Sequence, residues 1–572
     1  MMGTVKNKFL GILVVCSLST SVFAITPTEI PGTVNPGVIS KTLQEQGPTQ
    51  SLPTGSLVQA PRGAGPTTLS PEAAKIKFKL VKIVLEGNHV YSENCLLPLY
   101  QDKLNQVISI ADLMKIVQSI TNYYRNQGYI LSRAILPPQH VQNGIVRVRV
   151  LEGYIDKVIV DGQPDGARAL IQCYTNHIAR CRPLRIGVLE HYMRLANLIP
   201  DVRAKAVLEP SKNAQGAATL HIVSDAKKVS GYVAYDNYGS RYIGPNEITF
   251  SGAINSIFRS GDATRLTYVT SSRLRELRYW DLYYDAPLNS EGLRLTFDAT
   301  ESQTHPVFVL QPLNVEGKSN IYSLGLTFPY ILSRCTDLIL NASFNYIDDG
   351  SKTFGNTIYN DHIRTLRAGG VLNHTDGMLG LNSFSAEVEQ GLLILGASND
   401  PNSPTSSRPG ATGDFTKFDL QASRLQPLGN SIFSTFVVAK GQYSFNPLLA
   451  YEQFTFGGSV MGRGYDSADL IGDEGLGGSV ELRAALPLFC WMQSFEPYIF
   501  YDIGAIWNKE NVLGTPSKQS ESSAGVGVRF FLAQHVSGNL LLAQPLSKQD
   551  TAEQLAGNGR SVRGLFSLTV EA

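Results

Sequence analysis

From about Lys227 to Ala572 the chain carries no sustained helical periodicity, only segments of about ten residues with alternating polarity, separated by Gly, Asn, Asp, Ser and Pro. The run Leu293-Arg294-Leu295-Thr296-Phe297-Asp298-Ala299-Thr300 shows the pattern, with apolar side chains on one face and Arg, Thr and Asp on the other. If such a segment crosses a membrane, its backbone groups find no water there, and only a closed sheet satisfies them with strands. At about 20 to 22 residues per strand and connection, this stretch supplies about 16 strands. The expectation is a transmembrane β-barrel over residues 227–572, with Tyr279, Trp280, Tyr283 and Tyr284 in the interfacial girdles. A soluble sandwich or propeller also alternates, so alternation alone leaves those folds open.

The N-terminus bears on the compartment. Met1 to Ala24 reads as a secretory signal: Lys6 and Lys8 form a basic start, Phe9 to Val15 an apolar core, and Val22-Phe23-Ala24 a small-residue cleavage site. A lipoprotein signal ending at Cys16 is the alternative, opposed by the bulky Val15 and the short core. No later run reaches 18 apolar residues. The balance of 49 basic and 48 acidic residues gives a net charge of +1 and no case for a nucleic-acid partner. Beyond Cys16, the cysteines Cys95, Cys173, Cys181, Cys335 and Cys490 form no zinc or catalytic pattern. Cys173 and Cys181 pair only if the helix between them breaks, since eight helical residues separate Cα atoms by about 12 Å.

Residues 25–74 are rich in Pro, Gly, Ser, Thr and Gln and read as a linker. Within it, Asn35 to Gln46 has an N-cap, a proline at the first helical position and helix-compatible residues, a candidate detachable helix. From Lys75 to Val223 strands alternate with amphipathic helices. Strands Phe78 to Leu85 and Val146 to Leu151 flank a helix from Ile110 to Asn126 that places Leu113, Ile116, Val117 and Ile120 on one face. A second unit follows, with helices near Ala167 to Ala179 and Gly187 to Ala196 and strands Ala204 to Leu208 and Ala218 to Val223. Two tandem α+β modules are expected, over 75–153 and 154–226.

Two C-terminal motifs suggest a cation and an anion held together in the lumen. If Ile499, Tyr501, Ile503, Ala505 and Trp507 face lipid, then Phe500, Asp502 and Gly504 face inward, and a lumenal carboxylate wants a cationic partner. Gly462-Arg463-Gly464-Tyr465 lies in a run glycine-rich enough to fold back into the pore, which makes Arg463 the candidate. A surface-loop arginine and an ordinary strand aspartate form the plainer alternative. No energy source is visible: Glu316-Gly317-Lys318-Ser319 mimics the end of a phosphate-binding loop, but Pro312 stands where its first glycine belongs.

The run Gly128-Tyr129-Ile130-Leu131-Ser132-Arg133-Ala134-Ile135-Leu136-Pro137-Pro138-Gln139, with Asn143-Gly144 and Val150-Leu151-Glu152-Gly153-Tyr154-Ile155, resembles the first POTRA domain of the two-partner secretion transporters (TpsB, within the Omp85 superfamily). The likeness continues through Leu195-Ala196-Asn197-Leu198-Ile199-Pro200 and Asp236-Asn237-Tyr238-Gly239-Ser240. It implies an outer-membrane barrel with two periplasmic POTRA domains that exports a large unfolded haemolysin- or adhesin-like partner. It also implies that Arg463, Gly464 and Tyr465 match a pore loop whose arginine pairs with Asp502, the aspartate of a Phe-x-Asp-x-Gly strand. Outer-membrane lipids and the cell's barrel assembly machinery are the further partners implied; no cofactor or metal is. The chain departs from the family in having Gly462 where a valine usually precedes the Arg-Gly pair, a change expected to loosen the loop. It also ends Phe566 to Ala572 without a terminal aromatic, and its Asn35 to Gln46 segment matches the family's plug helix only in position and weak pattern.

An assembly factor of the same superfamily shares such a barrel but usually has more POTRA modules, and a passive porin needs none. An enzyme fits worst, because the nine histidines are dispersed and no nucleophile elbow or metal-ligand spacing appears. Val562-Arg563-Gly564-Leu565, a partial copy of the loop motif, reads as a strand-end coincidence.

Overall fold

The computed structural model describes residues 32–46, 58–59, 76–163, 166–429, 431–486, 492–509, 517–532, 535–547 and 561–572. The expected signal, its lipoprotein alternative at Cys16, and Cys490 lie outside them.

The chain first forms helix α1 (Pro36–Gln46), capped by Asn35, whose Oδ1 accepts a hydrogen bond from Val38 N at 3.0 Å. The first α+β module follows. Its three-stranded sheet has Ile145–Leu151 at the centre, parallel to Lys82–Glu86 and antiparallel to Arg133–Ile135. The expected strand Phe78 to Leu85 is interrupted: Lys77–Lys79 pairs separately with Val107–Ser109, and Leu80 and Val81 mark the break. After the short α2 (Glu93–Leu96), α3 (Ile110–Asn126) buries Leu113, Ile116, Val117 and Ile120 against this sheet. Its start is a capping box in which Ser109 Oγ accepts from Asp112 N at 3.1 Å and Asp112 Oδ2 accepts from Ser109 N at 3.3 Å.

The second module packs α4 (Arg168–Arg180) and α5 (Ile186–Asn197) on a four-stranded sheet of Val58–Gln59, Val202–Pro210, Ala217–Ala226 and Tyr154–Gln163, in that order. The core is continuous, with Leu170, Ile171, Ile178, Leu189 and Met193 against Ala204, Leu220 and Ile222. Because α4 runs unbroken through Cys173 and Cys181 caps its end, the condition for a bridge fails and both thiols are free.

Sixteen antiparallel strands then close into a barrel. They are β1 (Val229–Asp236), β2 (Glu247–Asn255), β3 (Ala263–Ser271), β4 (Leu277–Pro287), β5 (Arg294–Thr304), β6 (Val315–Leu332), β7 (Thr336–Thr353) and β8 (Asn356–Thr375). The second half is β9 (Leu381–Gly391), β10 (Thr416–Pro427), β11 (Phe433–Ser444), β12 (Glu474–Ala484), β13 (Met492–Trp507), β14 (Lys518–Leu532), β15 (Val536–Pro545) and β16 (Arg563–Glu571). Closure is made by β1 on β16, from Tyr232 opposite Glu571 to Asp236 opposite Ser567. Val233, Phe250, Leu266, Leu324 and Leu366 face outward, as the alternation demands. Among the described residues no helix is long and apolar enough to cross a membrane.

The expected girdle is corrected by the same alternation. Trp280 is exposed on the outer face, whereas Tyr279 and Tyr283, one and three positions along, line the lumen. Of the four aromatics, only Trp280 and Tyr284 have the parity of lipid-facing residues.

The second module is seated on the turns at one end of the barrel. Arg194 of α5 donates to both carboxylate oxygens of Asp337, at 3.1 and 2.9 Å, and to Arg334 O at 3.1 Å. Tyr192 donates to Glu291, and Leu195 packs at Gly292.

The Ser109 hydroxyl and backbone hold the Asp112 carboxyl down at about 2, so its carboxylate supports α3 above roughly pH 4 and that support is lost as pH falls through about 2. Ser109→Ala is expected to destabilise the helix start by about 1 kcal/mol, seen as faster hydrogen exchange over residues 110–113. An NMR titration of the same variant should find the Asp112 carboxyl back toward the ordinary range.

Candidate functional site: a lumenal loop and its charged anchors

The connection between β11 and β12 spans residues 445–473 and folds into the barrel, where Tyr451, Phe454, Phe456, Arg463 and Tyr465 are all buried. Strand β13 receives it. Tyr498, Phe500, Asp502 and Ile506 alternate inward and are buried, while Ile499, Tyr501 and Ile503 are exposed outward.

Arg463 and Asp502 form a forked ion pair: Nε donates to Oδ2 at 3.0 Å and Nη2 to Oδ1 at 2.7 Å. The backbone N–H groups of Gly462 and Arg463 also donate to Asp502 Oδ2, at 3.1 and 3.0 Å. The remaining guanidinium donors reach Glu481 Oε1 at 2.5 Å and Ser479 Oγ at 2.7 Å, both on β12. Phe500 lies under the guanidinium, 3.7 Å from ring centroid to Cζ. Arg463 is 2% exposed and Asp502 0%, so this pair is shielded from the screening that weakens surface ion pairs.

The neighbouring motif residues each have a steric or hydrogen-bonding reason. Gly504 clears space for the loop, since a Cβ there would lie 2.3 Å from the Phe456 ring. Gly462 has φ +76°, a conformation that disfavours valine; its amide is held by Asp502 and its carbonyl by Tyr465 N at 2.9 Å. The departure expected to loosen the loop therefore forms a fixed corner. A Cβ on Gly464 would meet Ser523 at 2.7 Å, and the Tyr465 hydroxyl donates to Ser522 O at 2.9 Å, so the loop tip docks on β14.

Sequence reasoning missed the breadth of the anchorage. Glu481 binds Arg483 and Arg529 at 2.8 and 3.0 Å in addition to Arg463, and the inward parity of Ser479, Glu481 and Arg483 on β12 was the signal that marks them. Arg563 is no strand-end coincidence: its Nη2 donates to Asp466 Oδ1 at 2.5 Å and ties the loop to β16. On the opposite wall Glu452 accepts from Lys417 at 2.6 Å and lies 3.4 Å from Arg367, while Asp473 pairs with Arg408. Glu316-Gly317-Lys318-Ser319 lies in β6, where Lys318 pairs with Glu301 at 2.9 Å, with no strand-to-helix turn around it.

Helix α1 shares the lumen with this loop. Lys41 Nζ donates to Gln453 O at 3.4 Å, and Gln44 Nε2 to Thr300 Oγ1 at 3.0 Å and Asp298 at 3.3 Å. Ile39 packs with Val269, Leu277 and Tyr279, and Ser240 Oγ donates to Thr33 O just upstream.

The POTRA-type motif residues of the first module hold that module together. Glu152 Oε1 accepts from Val90 N at 2.7 Å and from the Tyr124 hydroxyl at 3.0 Å; burial, then this carboxylate, push the Tyr124 phenol well above its usual range. Gln139 clamps Arg147 through both backbone groups, at 2.7 and 2.8 Å, and also donates to Pro137 O. Gly144 O accepts from Val81 N at 2.8 Å, and Tyr129 meets Tyr91 edge-on. Gly128 O and Gly153 O accept from Ile186 N and Leu184 N of the second module, both at 2.8 Å, so these glycines join the two modules.

The haemolysin secretion/activation protein model (ShlB/FhaC/HecB) matches residues 219–530, more than half of the 572-residue chain, and the ShlB-type POTRA model matches residues 78–153. The chain belongs to the haemolysin secretion/activation family. This family member is an outer-membrane transporter with its POTRA domain in the periplasm. It is 23% identical to the heme/hemopexin transporter protein HuxB of Haemophilus influenzae (strain 86-028NP), over 94% of this chain and 95% of HuxB. It is 24% identical to the outer membrane transporter CdiB of Dickeya dadantii (strain 3937), over 77% and 76%. Its fold matches the solved CdiB from Escherichia coli with a TM-score of 0.71, at 17% identity, covering 95% of this chain and 99% of that one.

Removing one partner of a buried pair strands the others. Arg463→Ala is expected to destabilise the docked loop by roughly 3–5 kcal/mol, opening residues 457–465 to limited proteolysis while the barrel keeps its heat-modifiable gel migration. Arg463→Lys should restore protection only in part, because an ammonium cannot reproduce the fork on Asp502.

Proposed function

We propose that this transporter takes an unfolded, haemolysin- or adhesin-like exoprotein from the periplasm through its POTRA modules and passes it outward through the barrel, whose lumen the charged loop and α1 occupy at rest. The observation that carries the reading is the buried Arg463–Asp502 fork beneath a helix seated on the same loop. A permanently open pore has no use for either element. Two sheet edges, Lys82–Glu86 and Arg133–Ile135, each pair on one side only and suit the addition of an extended segment, through backbone bonds that ask little of sequence. The tandem module over 154–226 serves as the second POTRA domain and as the rigid seat on the barrel, through Arg194 and Asp337. The residues before Ile25 act as the export signal, the apolar outer belt takes outer-membrane lipid, and insertion falls to the cell's barrel assembly machinery.

The test compares secreted and outer-membrane proteomes of native cells with and without this protein. The expected result is loss of one or two large exoproteins from the medium with a normal outer membrane; broad depletion of barrel proteins would replace this reading with assembly. At the residue level, Arg463→Asp or Asp502→Arg should reduce secretion at least tenfold, and the swapped pair should recover part of it. Normal secretion by an inserted Arg463→Ala barrel would remove the loop from the mechanism.

A further inference from the structure

The charges of the lumen are unevenly partnered. Around the loop, every anchoring carboxylate faces a cation: Glu452 has Lys417, Glu481 and Asp502 have Arg463, and Asp466 has Arg563. The wall formed by β1 to β5 is different. Asp236, Glu247, Asp281 and Asp298 all line a lumenal cavity of about 890 Å³ between this wall and α1, and none of them makes an ion pair among the described residues. The nearest cation on the wall, Arg265, lies over the Tyr283 ring at 4.8 Å.

The placement of the four adds to the anomaly. Asp236 and Glu247 are direct cross-strand partners on β1 and β2, an arrangement of like charges that destabilises a sheet. Glu247 is 4% exposed, faces the cavity, and has no hydrogen-bond partner among the described residues. Asp281 and Asp298 form a second like-charged pair, bridged by Thr300, whose Oγ1 lies 3.1 and 3.0 Å from them. The register fixes the spacing: Glu247 is opposite Ser271 and Asp281 opposite Thr267, so the pairs are four residues apart, about 13 Å along β3. No three of these oxygens converge as metal ligands do; the only such group among the described residues is Glu387, Glu389 and Asp419, and that group faces Lys417 and Arg367.

Buried, unpaired carboxylates cost free energy that a sheet does not retain for its own stability. Two acidic pairs separated by four residues of extended chain match a visitor that is itself extended, since its i and i+4 side chains point the same way about 13 Å apart. We infer that the β1–β5 wall is the track for the exported polypeptide, and that it receives lysine and arginine side chains of the cargo as successive contacts. The inference rests on the export reading above and names the chemistry of the segment that the lumen accepts. Four of the cavity's tyrosines, Tyr232, Tyr238, Tyr279 and Tyr283, lie on the β1–β5 wall and the turn after β1, and supply flat, hydrogen-bonding surface between the acidic stations without demanding a sequence.

The test is equilibrium binding to the purified full chain in detergent, which needs no secretion. The probe is a fluorescein-labelled peptide of glycine and serine with lysines four residues apart, read by anisotropy at low salt. A second probe carries glutamate at the same positions. We expect the lysine peptide to bind, the glutamate peptide not to, and the quadruple variant Asp236→Asn, Glu247→Gln, Asp281→Asn, Asp298→Asn to bind the lysine peptide at least tenfold more weakly, with unchanged heat-modifiable migration. If the quadruple variant does not fold, the two pairs are neutralised separately, and each is expected to weaken binding several-fold. Equal binding to wild type and variant, or equal binding of the two peptides, overturns the inference. Displacement of the lysine peptide by micromolar calcium, with calorimetric calcium binding lost in the variant, overturns it in favour of a small-cation site. Failure of the proteome comparison with peptide binding intact would instead remove the export reading and leave a cation-binding wall.

Discussion

A sheet that crosses a bilayer must close on itself, because hydrocarbon offers no partner to an unpaired backbone group. Closure of β1 on β16 meets that demand, and the other features of the barrel follow from it. Once the strands form a ring, alternate side chains have no choice but to face inward, and the interior becomes a confined, polar volume. Charges placed there are shielded from bulk water and must find partners, receive visitors or carry an energetic penalty. The same parity that leaves Ile499, Tyr501 and Ile503 to lipid delivers Phe500, Asp502 and Gly504 to the lumen, where they fit the side, charge and bulk of one loop.

That loop behaves as a brace across the ring. Its first part is held at Glu452 by β8 and β10 cations, its tip by β12, β13 and β14, and its outgoing limb by Arg563 of β16. The contacts lie on different walls, so displacement of the loop breaks several well-satisfied charge clusters together. Helix α1 leans on the brace at Gln453 and on the wall at Thr300. Loop and helix thus form one obstruction with a shared seat.

Much of this was legible in the sequence, for reasons that differ by element. Helix α3 was legible to the residue, because its start carries a capping box and its face a regular apolar stripe. The strands Phe78 to Leu85 were read as one because nothing local in Leu80-Val81 announces the exchange of partners; only the pairing of Lys77–Lys79 with Val107–Ser109 separates them. For Arg463 and Asp502, the glycine-rich run and the inward parity offered the pair, and the family resemblance chose it over a surface-loop arginine and an ordinary strand aspartate. Glu481 was missed although its parity was available, and Tyr279 was misplaced because composition was used where alternation decides. Arg563 lies 97 positions from Asp466, and no periodicity reports that proximity. The free thiols of Cys173 and Cys181 follow from the unbroken α4, whose extent was read to within one residue at each end but whose continuity through Cys173 the sequence reading left open.

Helix α1 has one consequence through its connection to the chain. Its last residue, Gln46, and Val58, which pairs with Ala206 in the second module, are separated by eleven residues of sequence. Such a segment reaches at most about 40 Å when fully extended. A helix withdrawn from the lumen therefore stays in a small volume at the periplasmic mouth, at an effective concentration in the millimolar range that no dilution of the cell envelope changes. Its return is a first-order event, set by tether length and not by the amount of protein. On the export reading proposed above, α1 would reseat in the barrel it left once a cargo chain has passed, and no second molecule would be required.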